Sequence, residues 1–238
     1  MSANIIISFD GSDNDHDALA LGRILAEGGS NVSLAYVRHA RESDSTREQD
    51  AQRDAESILE RGAKALGQDN IGRHVVVNAS TGDGLRELAE DNAADLVVFG
   101  SDWHTAPGHV QPGNSALRLM DGGPTAIAIA AAGLRNRSDA RIEHVALPGG
   151  EVDPAARETA EALAAKSGTP LALPSQEKVD LLVVGSRPGA AEGRVSLSAA
   201  AEYLVETTNA SVLVLARGVA FGAERRSSVA DSAAVHQA

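Results

Sequence analysis

Two places in the sequence put chemistry-bearing residues at the end of an apolar run. Ile5-Ile6-Ile7-Ser8-Phe9 leads into Asp10-Gly11-Ser12, and Asp95-Leu96-Val97-Val98-Phe99 leads into Gly100. The stretch from Gly100 to Ser115 then holds Asp102, Trp103, His104, His109, Gly113 and Asn114. Asp102, His104 and His109 are of metal-ligand type. The x4 spacing of the histidines falls on a loop without a helical face, so solvated loop residues are the plainer reading and no metal is expected. Asp10-Gly11-Ser12 is both a polar group at a strand end and an ordinary turn with a helix cap. Trp103 is either a packing residue or a platform for a flat ligand. The sequence has no G-x-x-x-x-G-K, G-x-G-x-x-G or G-x-S-x-G run. No nucleophile stands with a base and an orienter, so no enzymatic activity is expected.

These residues need a scaffold, and hydrophobic periodicity supplies one. Apolar, β-branched runs at 5–9, 32–37, 74–77, 95–100 and 125–130 read as strands. Between them, 15–27, 43–66, 82–93 and a segment opening at Asn114 read as helices, the first carrying Ala18, Leu21, Ile24 and Leu25 on one face. Alternation of strand and helix with continuous apolar strands predicts an α/β fold, a doubly wound parallel five-stranded sheet. Ligands of such sheets bind beyond the carboxyl ends of the strands, which here fall at Asp10, Val37 and Gly100.

The chain then repeats itself. Ala94–Ser101 recurs as Val179–Ser186, 85 positions later, and the match continues to Ile127-Ala128-Ile129 against Val212-Leu213-Val214. The beginning recurs at an offset of 138, where Gly11 meets Gly149, Ala18 meets Ala156 and Leu25 meets Leu163. The difference leaves the second copy without a helix–strand–helix segment. The expected organisation is a complete unit, 1–133, a linker from Ala131 to Ala140, a truncated unit, 141–217, and a disordered tail, 218–238. Pro170 to Pro174 stands where the second unit's second strand belongs. It lies too close to Val179 for a right-handed parallel crossover, so an extended segment outside the parallel ladder is an alternative.

Composition narrows the function. The 238 residues carry a net charge of −12, only 3% aromatics and no cysteine. The basic face and stacking platforms of a nucleic-acid binder are missing. Disulfides and thiolate metal sites are excluded. No apolar run is long enough to span a bilayer and no signal-peptide pattern opens the chain, so a cytoplasmic protein without membrane contact is expected.

The runs Ile5–Ser12 and Ala94–Ser101, with the Gly100–Ser115 loop, resemble the universal stress protein family, as a tandem pair over nearly the whole chain. Members of that family that bind ATP carry G-x2-G-x9-G-[ST] after the fourth strand. Gly100 and Gly113 keep that spacing, whereas Trp103 replaces the second glycine and Asn114 the hydroxyl residue. Glycines let backbone N–H groups approach phosphate oxygens, and the last one opens a helix whose free N–H groups favour an anion. Asn114 donates through its amide, and Ser115 is adjacent. The resemblance implies that Asp10 contacts a nucleoside, that the backbone near Val37 meets adenine, and that Gly100, Gly113, Asn114 and Ser115 line the phosphates of ATP, with Mg2+. From Glu87 to Leu117 there is no Lys or Arg, so the phosphates would rely on amides and a divalent cation. In the second unit Pro148 replaces Asp10, Pro188 the second glycine, and Ser198-Ala199 the Gly113-Asn114 pair, so no nucleotide is expected there. The resemblance also implies pairing through the fifth strands, Thr125–Ala130 with Ala210–Ala216, as an intrachain pseudo-dimer, with homodimers left open. The functional expectation is a regulatory protein binding an adenine nucleotide in its first unit. The alternative is a nucleotide-free interaction module for a protein partner.

Overall fold

A computed structural model of the chain describes residues 3–222 apart from 28, 69, 138 and 173–177. The elements alternate as expected through the first half: β1 (Asn4–Ser8), α1 (Asp13–Leu25), β2 (Asn31–Arg38), α2 (Ser45–Leu66), β3 (Gly72–Val77), α3 (Thr81–Asp91), β4 (Leu96–Phe99), α4 (Asn114–Met120) and β5 (Ala126–Ile129). A short 3-10 turn (Leu134–Asn136) leads to β6 (Val145–Ala146), α5 (Pro154–Ser167), β7 (Leu181–Gly185), α6 (Ala199–Thr207) and β8 (Ser211–Leu215).

All eight strands join one sheet in the order β3-β2-β1-β4-β5-β8-β7-β6. Every pairing is parallel except β5 with β8, where Ile127, Ala128 and Ile129 face Val214, Leu213 and Val212 in antiparallel register. The five-stranded parallel sheet is therefore extended, not isolated, and the two apolar edges cover each other. Side-chain alternation along the strands splits the core in two. Ile5, Ile7, Phe9 and Leu34 bury against α1 and α2, with Val145 and Leu181 against α5. Ile6, Val37, Val97 and Ile127 bury against α3 and α4, with Val212 and Val214 against α6.

Three expectations need correction. The strands of the two halves align at an offset of 140, because Ile5 pairs with Leu96 as Val145 pairs with Leu181. The helices align at 138, so the β6–α5 turn is two residues shorter than β1–α1. Asp10 therefore has no single counterpart, and Pro148 is not simply its replacement. The segment after Ala131 is not a loose linker. The Asp17 side chain, fully buried in α1, accepts hydrogen bonds from the Gly133 and Arg135 backbone N–H groups and from the Arg135 guanidinium at 2.7–2.8 Å. The start of the supposed tail is also packed. Gly218 N–H donates to Asp153, Phe221 N–H donates to Thr159 Oγ1, and the Phe221 side chain is buried. Residues 223–238 of the expected tail lie outside the described residues. So do 173–177, but Ala172 forms a single parallel bridge to Ala146, where β2 stands in the first half.

Candidate functional site

β1 turns away from the sheet between β2 and β4, which connect to opposite sides of it. This is the switch point of the parallel half, and a cleft of about 430 Å³ opens beside it. Asp10, Val37, Arg38, Asp54 and Thr81 are among its walls. Two of the sequence-predicted residues thus share one cleft. Val37 reaches it with its backbone. Ala35 C=O accepts the Phe9 N–H on the β1 side, and Arg38 C=O accepts the Asn78 N–H on the β3 side. Backbone groups alternate along a strand. Val37 therefore points its N–H and C=O to the side that β1 vacates.

Asp10 is exposed and its carboxylate accepts the Ser12 N–H at 2.8 Å, closing the β1–α1 turn around Gly11, whose φ is +87°. The turn reading and the binding reading therefore meet in one exposed residue. Asp15, in the first turn of α1, reaches back to accept the Asp10 backbone N–H. Burial pushes the Asp15 carboxyl up to about 8, with the Asp10 charge and a hydrogen bond to the Asp10 carboxylate adding to the shift and the Asp10 and Gly11 backbone N–H groups opposing it.

The loop after β4 is pinned at its neck. Ser101 Oγ donates to Ala130 C=O at 2.7 Å and accepts the Gln111 N–H at 3.3 Å, while Asp102 N–H donates to Gln111 C=O. Gly100 does not face open space. A Cβ there would collide with the backbone carbonyl of Asn14, whose side chain donates to Ser101 C=O at 2.8 Å. The first turn of α1 thus fills the space above Gly100, and that glycine is required by packing. Gly113 is the opposite case. Its φ of −74° suits any residue, and a Cβ would meet nothing within 4 Å. Asn114 beside it is exposed, and Ser115 is half-buried. Gly100, Gly113, Asn114 and Ser115 are not among the cleft's walls; the Ser115 carbonyl packs near Gly82, the neighbour of Thr81.

Trp103 carries no backbone strain, since Ala93 is the one non-glycine with positive φ among the described residues. Its indole is 77% exposed and lies over the His104 ring. It neither fills the cleft nor packs in the core. His104 is 3.4 Å from Asp102 on the same exposed loop, and His109 is exposed nearby. The group of metal-ligand type brought together among the described residues is Glu143, His144 and Asp180. Its geometry is accounted for by the fold. Asp180 accepts the Glu143 and His144 N–H groups at 3.0–3.1 Å and thereby ties β7 to the start of β6. Asp95 does the same for β1, accepting the Asn4 N–H at 2.8 Å.

Sequence reasoning missed Arg38 in the cleft wall and Arg61 beside the β1–α1 turn. Arg38 is 7% exposed and donates to Glu48, while its Nε and Nη1 have no hydrogen-bond partner. Arg61 on α2 brings Nη2 within 3.8 Å of a Cβ on Gly11. A signal for Arg38 existed: it follows Leu34 and Tyr36 at the period of two, on a face that is otherwise apolar.

Residues 1–130 match the model of the Universal stress protein family. That is more than half of the chain, and the protein belongs to the universal stress protein family. Among curated proteins none matches the chain. A universal stress protein structure from Archaeoglobus fulgidus DSM 4304 is similar to it with a TM-score of 0.67 and 14% identity, covering 92% of this chain and 100% of that one. A functionally unknown protein from Pseudomonas aeruginosa PAO1 is similar with a TM-score of 0.51 and 14% identity, covering 90% and 92%. At these identities the likeness concerns the fold.

Proposed function

We propose that this universal stress protein binds an adenine nucleotide, ATP, in the cleft of its first half and acts as a regulatory binding protein rather than an enzyme. The observation that carries the reading is the contrast between the two glycines. Gly100 is demanded by the fold, whereas Gly113 is a glycine the fold does not need, placed where a Cβ would enter open space. The residues fit the ligand. The Val37 backbone offers an N–H and a C=O to a base edge, Asp10 offers its exposed carboxylate to a ribose hydroxyl, and the Gly113–Ser115 turn offers amides to phosphate oxygens. A bound nucleotide would bring its own Mg2+. Arg38, paired with Glu48, is the cation in the cleft wall.

The second half retains the loop but not the cleft, since β6 has two residues and a single bridge stands beside it. It binds no nucleotide in this reading. The chain is organised as a complete unit, 1–133, paired with a truncated one, 141–217, inside a cytoplasmic protein. Calorimetry with ATP and Mg2+ tests the proposal. Saturable binding lost in Gly113→Val supports it, and no heat at millimolar ATP on folded protein overturns it. One observation favours a nucleotide-free interaction module instead, namely the exposed Trp103 on the loop that would cover phosphates. A nucleotide carried through purification, seen by mass spectrometry, decides against that second reading.

A further inference from the structure

The antiparallel β5–β8 pair sets α4 and α6 side by side on one face of the sheet. Between them runs a groove of about 420 Å³. Its walls are related across the junction by the repeat offset of 85: Met120 by Val205, Pro112 by Leu197, and Asp121 by Glu206. The groove is therefore a product of the pairing, which neither half makes alone. Met120 and Val205 are buried and, with Val195, give it an apolar floor.

The rim is acidic. Asp121, Glu202 and Glu206 are exposed, and none of the three forms an ion pair among the described residues. No Lys or Arg lines the groove. The nearby Arg118 is engaged in a two-point pair with Asp83 on α3, at 2.8 and 2.9 Å, with the Asp121 charge adding to its surroundings, and Arg86 and Arg194 donate to the Asp121 and Gly122 carbonyls rather than to the rim carboxylates. The apolar surface continues beyond the groove. From Leu117 on α4, a groove wall that is 49% exposed, it extends to Tyr203 on α6, which lies outside the lining and is 65% exposed. Tyr203 sits one helical turn before Glu206, on the shoulder of the rim.

We propose that this groove docks a short amphipathic helical segment of a partner protein, with apolar side chains on the floor and Lys or Arg beside them facing the three carboxylates. The pattern is that of a helix laid in a groove between two helices. Charge complementarity selects a basic occupant, and unpaired rim carboxylates give it orientation. The site is on the α4–α6 face and stands independently of nucleotide binding.

A fluorescent amphipathic peptide of Leu and Lys at helical spacing is the probe, followed by anisotropy with the full chain. The expected result is saturable binding that weakens at least tenfold between low and high salt. Leu117→Glu, and separately the pair Asp121→Lys with Glu206→Lys, should each weaken it tenfold or more with unchanged thermal unfolding. The pair Glu158→Lys with Glu161→Lys, on α5 across the sheet, should leave it within twofold, which separates docking from general attraction to an acidic protein. Binding that ignores the groove variants, or no saturable binding, overturns the proposal. So does a Leu117-dependent dimer in sedimentation, which would make a second copy the occupant. Tenfold tighter probe binding by the chain ending at residue 222 would make its own C-terminal segment the occupant, with the same consequence.

Discussion

Ser101 and Ser186, 85 positions apart, perform the same task in the two halves of the sheet. Ser101 Oγ donates to Ala130 C=O at 2.7 Å and accepts the Gln111 N–H. Ser186 Oγ donates to Leu215 C=O at 2.8 Å and accepts the Ser196 N–H at 3.0 Å. The wiring around them is copied as well. Gly108 N–H donates to Ala132 C=O as Gly193 N–H does to Arg217 C=O. Each loop is thus clamped at its neck to the strand beside it, whether or not it has glycines for a phosphate. Loop architecture has outlasted the residues associated with ligand. Because both hydroxyls are buried and paired, Ser101→Ala and Ser186→Ala should each cost about 1–3 kcal/mol. Urea unfolding of the two variants checks this, and equal losses are expected.

Gly100 and Gly113 should separate in their response to a methyl group. Gly100→Ala drives a Cβ into the Asn14 carbonyl, with backbone on both sides and no flexible side chain to yield. A loss of several °C in melting temperature is the expected outcome, with or without ligand. Gly113→Ala meets open space at an ordinary φ. It should leave the melting temperature unchanged or slightly raised, and weaken ATP binding. Paired melts and titrations of the two variants make the distinction.

The alternation of strands and helices and the repeat could be read from the chain because each rests on local periodicity or on direct repetition, and the pairing of the fifth strands was implied by the family resemblance, whereas the sheet order and the antiparallel register come from the structure. What escaped rests on contacts between distant residues. Nothing near Gly100 announces that Asn14 will fill the space above it. Nothing in the polar run after Ala131 announces that Asp17, over a hundred residues earlier, will hold it. The offset of 138 was legible in the helices. The offset of 140 between strands appears only through the register of β6 on β7. In the candidate site, Asp10 and Val37 were visible as strand ends, whereas the approach of Arg61 on α2 to Gly11 has no local signature.

Asp17 is the strongest test of how the halves are joined. Its buried carboxylate satisfies two backbone N–H groups and the half-buried Arg135. Asp17→Ala removes the two oxygens that accept all three hydrogen bonds, and a loss of roughly 3 kcal/mol is expected. Asp17→Asn retains one oxygen and should lose less. Hydrogen exchange should show the loss of protection centred on 133–135 in both variants.

Asp15 sets a pH dependence of unusual sign. Most acidic groups in a fold stabilise it as pH rises, but this carboxyl stands above its ordinary value of 3.8, at about 8, through burial and the neighbouring Asp10. The folded chain therefore holds a proton that the unfolded chain has released. The stability that this proton supplies is complete below about pH 4 and is lost as the pH climbs towards 8. Asp15→Asn mimics the protonated acid, since its amide oxygen still accepts the Asp10 N–H and its NH2 faces the Asp10 carboxylate. The variant should match the parent near pH 4 and exceed it by a margin that grows by up to about 1.4 kcal/mol per pH unit towards pH 8. Urea midpoints across that range measure the difference, and a gap that narrows with rising pH would contradict the shared proton. The same pair touches function. If the Asp10 carboxylate binds a ribose, ATP binding should shift with pH in the parent and lose that shift in Asp15→Asn.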